Sequence, residues 1–378
     1  MTRTIIDIHI LQTVPPSNLN RDDTGSPKTA VYGGVRRARV SSQAWKRSTR
    51  TAFGSLLDRS ELGVRTKRVV ELVAERITKS DATLTAASEE HAKAVLIKAG
   101  VKLKAARKKD SPDEAEFLLF LSEAQISALA DAAVQAARAD AAFTDALDAA
   151  QLKAILDQDH SVDIALFGRM VANLPEMNVD AACQVAHAIS VHGVQNEFDY
   201  FTAVDDHKAA DDEEDAGAGM IGTVEFNSAT LYRYATLDVD RLADNLGDEE
   251  ATKRAATAFV EAFVTSMPTG KQNTFANRTL PDAVLVTVGS RQSVNLVGAF
   301  EDALPAESSG GRLADAANKL ADYSQDVHRS YGTTPDLAWV VAVGKAAEPL
   351  RPFGDPGSLE DLLTALGTSI DQRRTSAP

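Results

Sequence analysis

The chain begins with a segment in which apolar and polar side chains alternate. Ile6, Ile8 and Ile10 are each separated by one other residue, and β-branched residues dominate residues 4–14. This period of two residues predicts a first β-strand. Residues 17–35 are rich in Asn, Asp, Gly and Pro and predict a long ordered loop.

The period becomes helical after Ser41 and Ser42, which offer an N-cap for a helix that is predicted to end near Leu57. Two sets of side chains lie on different stripes of this helix: apolar Trp45, Ala52, Phe53 and Leu56, and polar Gln43, Lys46, Arg47 and Arg50. The segment therefore predicts an amphipathic helix with one basic face.

Residues 58–180 have a different composition, dominated by Ala, Asp, Glu and Lys, and their apolar residues recur at helical spacing. The pattern predicts a helical block. The predicted helices are 64–78, 89–99, 122–137, 142–156 and 163–173. One more helix is predicted at 178–192.

The β-type pattern then returns. Residues 198–204 and 222–237 predict two strands around a gap, 205–221, which holds seven acidic residues and is typical of a flexible tip. Four later elements are predicted: a helix at 249–267 and strands at 283–288, 293–297 and 337–343. Without the helical block, the order strand, helix, strand, strand, helix, strand is that of a ferredoxin-like or RRM-like sheet. We therefore predict an α+β fold with a large helical insertion.

The composition, 44% apolar and 25% charged residues among 378, is ordinary for a globular protein. The single cysteine, Cys183, excludes an internal disulfide framework and favours a reducing compartment. Charges interrupt the first apolar residues, and no uninterrupted apolar run approaches about 18 residues, so neither a secretory signal nor a transmembrane helix is predicted. The predicted location is cytoplasmic, with no membrane partner.

Charge is distributed unevenly along the chain, whose formal net charge is −14. Residues 1–50 hold nine basic and three acidic side chains, whereas the rest hold 31 and 51. Residues 24–57 hold seven Lys or Arg side chains and no acidic one. Because a globally acidic protein repels nucleic acid on average, this local reversal of sign predicts a polyanion-binding surface within residues 18–50.

Residues 17–23 and 32–47 resemble the CasC family, the backbone subunit of the type I-E CRISPR surveillance complex Cascade. Shorter segments extend the resemblance in the same order along the chain: 163–170, 185–189, 199–206, 225–226, 231–234 and 271–272. The resemblance spans nearly the whole chain, and residues 58–180 are its least similar part.

Members of that family resemble a right hand. The resemblance implies five segments: an RRM-like palm at 1–57, helical fingers at 58–180, a palm helix at 181–193, a β-hairpin thumb at 194–223 and the rest of the palm at 224–378. It also implies that copies stack along a guide RNA, together with other Cascade subunits, and hold the spacer for pairing with target DNA. The family has no known chemistry, so the implied protein is not an enzyme and has no cofactor.

The resemblance and the charge pattern indicate one RNA-binding surface. The predicted contacts are Asn20, Arg21, Lys28, Arg36, Arg37, Arg39, Ser41, Ser42, Gln43, Lys46, Arg47 and Arg50, with Lys271 and Gln272 contacting the guide or a neighbouring subunit. Such side chains bind phosphates and sugars without reading bases, and the start of a helix adds unpaired N–H groups. The alternative interpretation is a solvated helix face with loop charges.

Two further sets of contacts are predicted, one from position in the motifs and one from a second basic run in the fingers. Predicted base wedges at the base of the thumb are Met170, Tyr200, Phe201, Thr202 and Ile221, for which core packing is the alternative. Candidates for contact with target DNA, against a solvated loop, are Lys102, Lys104, Arg107, Lys108 and Lys109. The acidic tip at 205–215 is expected to be solvated or to touch a neighbouring subunit.

Two other functional classes stay open. An RRM-like endoribonuclease would bind Mg²⁺ through carboxylates such as those of Asp22 and Asp23. However, adjacent side chains of an extended chain point to opposite sides, and we expect Asp23 to pair with Arg21 and Lys28. The other class is a protein filament that forms without RNA.

Overall fold

The computed structural model describes residues 3–106, 111–171, 174–203, 220–305 and 310–375. The chain divides into two compact units. Unit 1 consists of Met1–Ala52, Val185–Thr236 and Phe259–Pro378, and unit 2 consists of Phe53–Gln184 and Leu237–Ala258.

The strands are β1 Ile5–Ser17, β2 Thr29–Tyr32, β3 Val35–Val40, β4 Gly63–Thr66, β5 Leu103–Lys104, β6 Glu114–Ala115, β7 Leu119–Ser122, β8 Cys183–Val185, β9 Ala188–Ser190, β10 Glu197–Ala203, β11 Met220–Asp238, β12 Ala283–Gly289, β13 Leu337–Ala342 and β14 Asp355–Pro356.

The α-helices are α1 Ser42–Ala52, α2 Val69–Ser80, α3 Ser88–Lys98, α4 Glu123–Arg138, α5 Phe143–Ala146, α6 Ala149–Leu156, α7 Val162–Phe167, α8 Val239–Leu246, α9 Glu249–Thr265, α10 Gln272–Phe275, α11 Arg312–Tyr331 and α12 Leu359–Thr375. Short 3-10 helices occupy Phe53–Ser55, Arg59–Glu61, Ala82–Ala87, Pro175–Met177, Leu296–Phe300 and Lys345–Phe353. None of the helices in the described ranges combines the length and the apolar content needed to cross a membrane.

One large sheet organises unit 1. Its strands lie in the order β14, β13, β12, β1, β11, β9, β3 and β2, and β10 pairs separately with β11. The neighbours of the central strand β1 are therefore β12 and β11, which are far apart in sequence. The β1–β12 pair is antiparallel, with Ile5 opposite Gly289 and Leu11 opposite Ala283.

The central strand β1 is buried along nearly its whole length, including its polar residues. The Asp7 carboxylate accepts hydrogen bonds from the Tyr234 hydroxyl at 2.7 Å and from the Val294 N–H at 2.9 Å. His9 Nδ1 lies 2.9 Å from the Tyr232 hydroxyl. Burial raises the pKa of Asp7 and lowers the pKa of His9 to about 3, because a low-dielectric interior disfavours the charged form of each group.

The helices of unit 2 pack around an apolar core, to which α2, α3, α4 and α6 contribute fully buried side chains. The start of α4 shows how local sequence sets these helices. Ser122 Oγ accepts the N–H of Gln125 at 3.0 Å, and Gln125 Oε1 accepts the N–H of Ser122 at 3.1 Å. This reciprocal capping box satisfies two N–H groups that would otherwise lack partners.

The predicted α+β class is confirmed. Predicted elements that the structure contains, with shifts of a few residues at their ends, are β1, α1, α3, α4, β10, β11, α9, β12 and β13. These elements have strong, uninterrupted periodicity over their own lengths. The order of the sheet, in contrast, depends on contacts between distant segments.

The predicted helix at 178–192, and with it the palm helix at 181–193, is wrong. The chain forms β8 and β9 there, and β9 pairs with β11 on one side and with β3 on the other. The predicted strand at 293–297 is also wrong, because Asn295 Oδ1 accepts the Val297 N–H at 3.0 Å and the 3-10 helix Leu296–Phe300 begins instead.

Other predicted elements are interrupted. The loop at 17–35 contains β2, which pairs with β3 across Gly33 and Gly34, both at positive φ. The helix at 142–156 divides into α5 and α6, since Asp148 accepts N–H groups and caps α6. The helix at 163–173 ends early at Gly168, whose φ is 77°. The long helices α11 and α12 were not predicted.

Candidate nucleic-acid interface

Helix α1 is fixed to the sheet of unit 1 by a stacked side chain. Trp45 is fully buried, and the Arg233 guanidinium lies 3.7 Å from the centroid of its ring and 4.7 Å from that of Phe263. Arg233 also donates to Gln12 Oε1 at 2.6 Å and to the Phe263 carbonyl. Burial lowers the pKa of Arg233 to about 9. The inner face of α1 is therefore held by a buried cation–π contact.

The outer face of α1 carries the predicted basic stripe. Gln43 and Arg47 are exposed, and Lys46 and Arg50 are half-buried. Over the residues that it describes, the structure gives Arg47 no ion-pair partner. The stripe therefore leaves Arg47 available to an external anion.

Two of the first three N–H groups of α1, those of Ser42 and Ala44, have partners within the protein, although the sequence predicted that the start of this helix is available to phosphate. Ser41 N–H donates to Asn20 Oδ1 at 2.9 Å, and Ser42 N–H donates to His187 Nδ1 at 3.1 Å. Ala44 N–H donates to the Ser41 carbonyl at 3.0 Å. The buried Ser41 thus caps the helix through its side chain, and the half-buried Asn20 binds the N–H of this capping residue.

Strand β3 places the side chains of its two adjacent arginines in different environments. Arg36 is exposed, whereas Arg37 is fully buried and donates to the carbonyls of Ser190, Phe300 and Glu301 at 2.8–3.0 Å. The prediction that Arg37 contacts RNA is therefore wrong, because its guanidinium already binds three interior oxygens. Successive side chains of a strand point to opposite faces, which leaves Arg36 on the outer one.

His187 lies beside the start of the basic helix α1, and it was not among the site residues predicted from the sequence. Its ring is exposed and caps α1 through Nδ1. Burial, with the charges of Arg39 and Lys28, lowers its pKa. Arg39 itself is half-buried and donates through Nε to the Thr29 carbonyl at 3.2 Å. The segment 185–189 carried part of the family resemblance, but the predicted helix hid its role.

The loop before β2 is ordered by Asp22. Its carboxylate accepts the Thr24 hydroxyl at 2.7 Å and the N–H groups of Thr24 and Ser26 at 3.0 Å each. These hydrogen bonds, that from the Thr24 side chain first, lower the pKa of Asp22. The expected ion pair of Asp23 with Arg21 is not among the contacts of the described residues, and Arg21 is exposed.

The loop around Lys271 lies against this ordered loop. A Cβ placed on Gly270 would lie 2.2 Å from the Leu19 carbonyl oxygen and 2.6 Å from that of Asn18. The two backbones therefore touch. Lys271, in the left-handed region at φ 50°, and Gln272 are both half-buried beside this contact. The fold brings the predicted contacts at 271–272 next to those at 20–28.

The hairpin of β10 and β11 exposes large aromatic side chains. Phe198 is 67% exposed and Tyr200 63%, and alternation places them on the same face. Phe201 is 38% exposed and covers Gly222 of the opposite strand, where an added Cβ would lie 2.4 Å from Phe201 Cζ. Phe201 therefore packs over Gly222 with part of its ring still exposed, and Phe198 and Tyr200 are more exposed. The predicted role of Phe201 as a base wedge stays a prediction.

Met170 of unit 2 projects because the preceding residue is anchored. Arg169 is buried and donates to the carbonyls of Met177 at 2.7 Å, Leu156 at 2.6 Å and Phe120 at 3.2 Å. Met170 is 84% exposed, since neighbouring side chains of an extended segment point to opposite sides. Core packing is therefore excluded for Met170 within unit 2.

Arg169→Met should destabilise unit 2 by about 3 kcal/mol, because it leaves buried carbonyls without donors. Thermal unfolding measures this loss of stability, and hydrogen exchange at residues 156–171 and 174–179 locates it in unit 2. Arg138→Met is the matched control, since Arg138 is 66% exposed and pairs with Asp81 at the surface. That control should cost less than about 1 kcal/mol, and equal losses from both variants would contradict the anchoring role.

For the remaining predicted contacts, the structure gives only the exposure of some side chains, and others lie outside the described residues. Lys102 and Lys104 are exposed around β5, and Thr202 is exposed opposite Ile221 in the β10–β11 register. The side chain of Ile221, residues 107–109 and the acidic tip at 205–215 lie outside the described residues. These assignments stay predictions.

The comparisons with known proteins define the class of the chain. The model of the family described as CT1975-like protein, Cas_CT1975, matches residues 6–365. The chain is therefore a Cas-type protein. It belongs to the CT1975-like protein family. No curated protein matches it.

Two solved structures are similar over almost the full length. A chain of a CRISPR RNA-guided surveillance complex, pre-nicking, is 35% identical with a TM-score of 0.83, and the match covers 97% of this chain and 100% of that one. A chain of a second CRISPR RNA-guided surveillance complex is 30% identical with a TM-score of 0.70, and the match covers 96% and 99%.

Proposed function

We propose that this protein is the guide-RNA-binding backbone subunit of a type I-E Cascade complex, of the CasC kind, and that it is not an enzyme. The observation that carries the proposal is the outer face of α1, where Arg47 is exposed between Lys46 and Arg50 while Trp45 is fixed inside. The similarity to chains of CRISPR RNA-guided surveillance complexes supports the same function.

The surface suits the RNA backbone rather than particular bases. Arg21, Arg36 and Arg47 are exposed cations on three elements of unit 1, and Lys and Arg side chains bind phosphates without carrying sequence information. A guide spacer differs from one RNA to the next, so contacts of this kind hold any guide. The strand order β12, β1, β11, β9 supports an RRM-like palm beneath this surface.

The β10–β11 hairpin acts as the thumb in this proposal. Base stacking on an aromatic face tolerates any sequence and contributes about 1–3 kcal/mol per base. Phe198 and Tyr200 offer such faces. Met170, exposed on unit 2, is proposed separately as a wedge.

Phe198→Ala/Tyr200→Ala should therefore raise the Kd for single-stranded RNA by at least about tenfold. Fluorescence anisotropy with labelled RNA measures the change. Phe117→Ala, at another exposed phenylalanine (47%), is the control and should leave the Kd unchanged. An unchanged Kd in the double variant would contradict base stacking on this hairpin.

Successive copies contact one another through thumb, palm and fingers in the proposed assembly, and other Cascade subunits complete it. Lys102 and Lys104, exposed cations of unit 2, are the proposed contacts to target DNA paired with the guide. Recognition of sequence then belongs to base pairing, and the protein recognises backbone and shape.

The endoribonuclease alternative has less support. Asp22, one of its carboxylates, is engaged in holding Thr24 and Ser26. Across the described residues, no group of three or more His, Cys, Asp or Glu side chains is arranged to hold a metal ion. The Asp22 carboxylate therefore has a structural role in ordering its loop.

A titration of the full chain with labelled single-stranded RNA, in Mg²⁺ and in EDTA, tests the proposal. A scaffold predicts binding that saturates at a fixed ratio of protein to RNA, with intact RNA in both buffers. Multiple cleavage events per protein in Mg²⁺ would establish the nuclease instead, and the absence of saturable binding would favour a protein-only filament.

A further inference from the structure

His187 lies at a point where three elements of unit 1 meet. It precedes β9, whose pairing with β3 places Ala188 opposite Val40 and Ile189 opposite Arg39. Its Nδ1 accepts the N–H of Ser42 in the first turn of α1 at 3.1 Å. The sheet register thus positions the His187 ring beside the start of the basic helix.

The contact with Ser42 fixes the tautomer of His187. A ring nitrogen that accepts an N–H carries no proton, so the neutral ring carries its proton on Nε2. Burial and the nearby charges of Arg39 and Lys28 lower the pKa of His187, which favours this neutral form at pH 7. The exposed ring therefore offers one oriented donor among cations.

We infer that His187 is part of the RNA-binding surface, where Nε2–H donates to an oxygen of the ribose-phosphate backbone while Nδ1 holds the start of α1. A neutral donor suits both phosphate and 2′-hydroxyl oxygens. This role is distinct from that of the neighbouring cations, because its bond has a fixed direction and little dependence on salt. The inference rests on the proposed function.

Two substitutions separate the two nitrogens of the ring. Asn places its Oδ1 near the position of Nδ1 and has no group at the position of Nε2, whereas Gln extends its amide N–H₂ toward the latter. His187→Asn should keep the cap and lose the donor, and His187→Gln should do the reverse. His187→Ala loses both.

The test is the Kd of the full-length variants for fluorescein-labelled oligouridine at neutral pH, with Tm measured in parallel. We expect His187→Asn to raise the Kd roughly tenfold, the effect of one hydrogen bond to a charged oxygen, at the wild-type Tm. His187→Gln should keep a Kd nearer that of the wild type while its Tm falls. His328→Asn, at a half-buried histidine of the same unit, is the matched control. It should leave the Kd for RNA unchanged, because His328 is not part of the proposed RNA-binding surface.

A wild-type Kd for His187→Asn would overturn the inference and leave His187 as a helix cap alone. The same conclusion would follow if each variant weakened RNA binding only in proportion to its loss of Tm. Arg47→Glu distinguishes this failure from that of the proposed function. If Arg47→Glu loses RNA while His187→Asn does not, only the inference fails; if Arg47→Glu also binds like the wild type, the proposed function fails.

Discussion

Lys46→Glu/Arg47→Glu/Arg50→Glu should weaken RNA binding strongly, raising the Kd by more than roughly 100-fold at moderate salt. The three side chains share the outer stripe of α1, and reversal of their charge replaces phosphate attraction by repulsion. The slope of log K against log salt should also become shallower by about two, since three phosphate contacts are lost from a single strand. Anisotropy titrations at several salt concentrations measure both quantities.

The matched control changes the net charge of the protein by the same amount, but at side chains away from α1. Arg329→Glu/Lys345→Glu/Arg351→Glu alters three exposed cations of unit 1 that lie on α11 and on the 3-10 helix Lys345–Phe353. This control should keep nearly the wild-type Kd and slope. Similar losses in both triple variants would mean that overall charge, rather than the α1 stripe, governs the binding.

Trp45→Ala should destabilise unit 1 by about 4 kcal/mol, because it removes a fully buried aromatic ring and leaves a cavity. It also removes the surface on which the Arg233 guanidinium is stacked. A buried cation without this contact is costly, so α1 should lose its fixed position. Equilibrium unfolding in urea measures the loss of stability.

Trp45→Ala should weaken RNA binding by more than its loss of stability explains. Trp339→Ala is the control, since Trp339 is also buried (7% exposed) but lies on β13. Under conditions where both variants are folded, Trp45→Ala should bind RNA weakly and Trp339→Ala nearly normally. Equal RNA affinities for the two folded variants would contradict the view that Trp45 positions the basic stripe.

The basic helix was predictable because its determinants are local. The apolar spacing around Trp45 and the polar stripe from Gln43 to Arg50 lie within three turns, and helical period alone assigns them to different faces. The end of the helix was less predictable. It ends at Ala52 and continues as the 3-10 helix Phe53–Ser55, although the apolar pattern itself extends to Leu57.

The fate of individual basic side chains was not predictable from local sequence. Arg36 and Arg37 are adjacent and chemically identical, yet only Arg37 meets the carbonyls of Ser190 and Phe300. Those acceptors lie 153 and 263 residues away along the chain. Strand alternation allows one of the two to be buried, but the choice depends on the register between β3 and its distant neighbours.

The role of residues 183–190 was hidden for a similar reason. Short strands such as β9 have too few residues for a reliable period, and Val185 with Ile189 fits the four-residue spacing of a helix as well as that of a strand. The pairing of β9 with both β11 and β3 decides between them. The β-branched Val185, Ile189 and Val191 were the available signal.

We propose that this chain holds guide RNA through the basic stripe of α1. The most direct test of this proposal is to purify the chain from cells that co-express a CRISPR array and the partner subunits, and to sequence the RNA that remains bound. We expect uniform spacer-containing RNAs with the wild type and their loss with Lys46→Glu/Arg47→Glu/Arg50→Glu. Absence of enriched spacer RNA with the wild type, or its full retention by the triple variant, would contradict the proposed binding of guide RNA by this stripe.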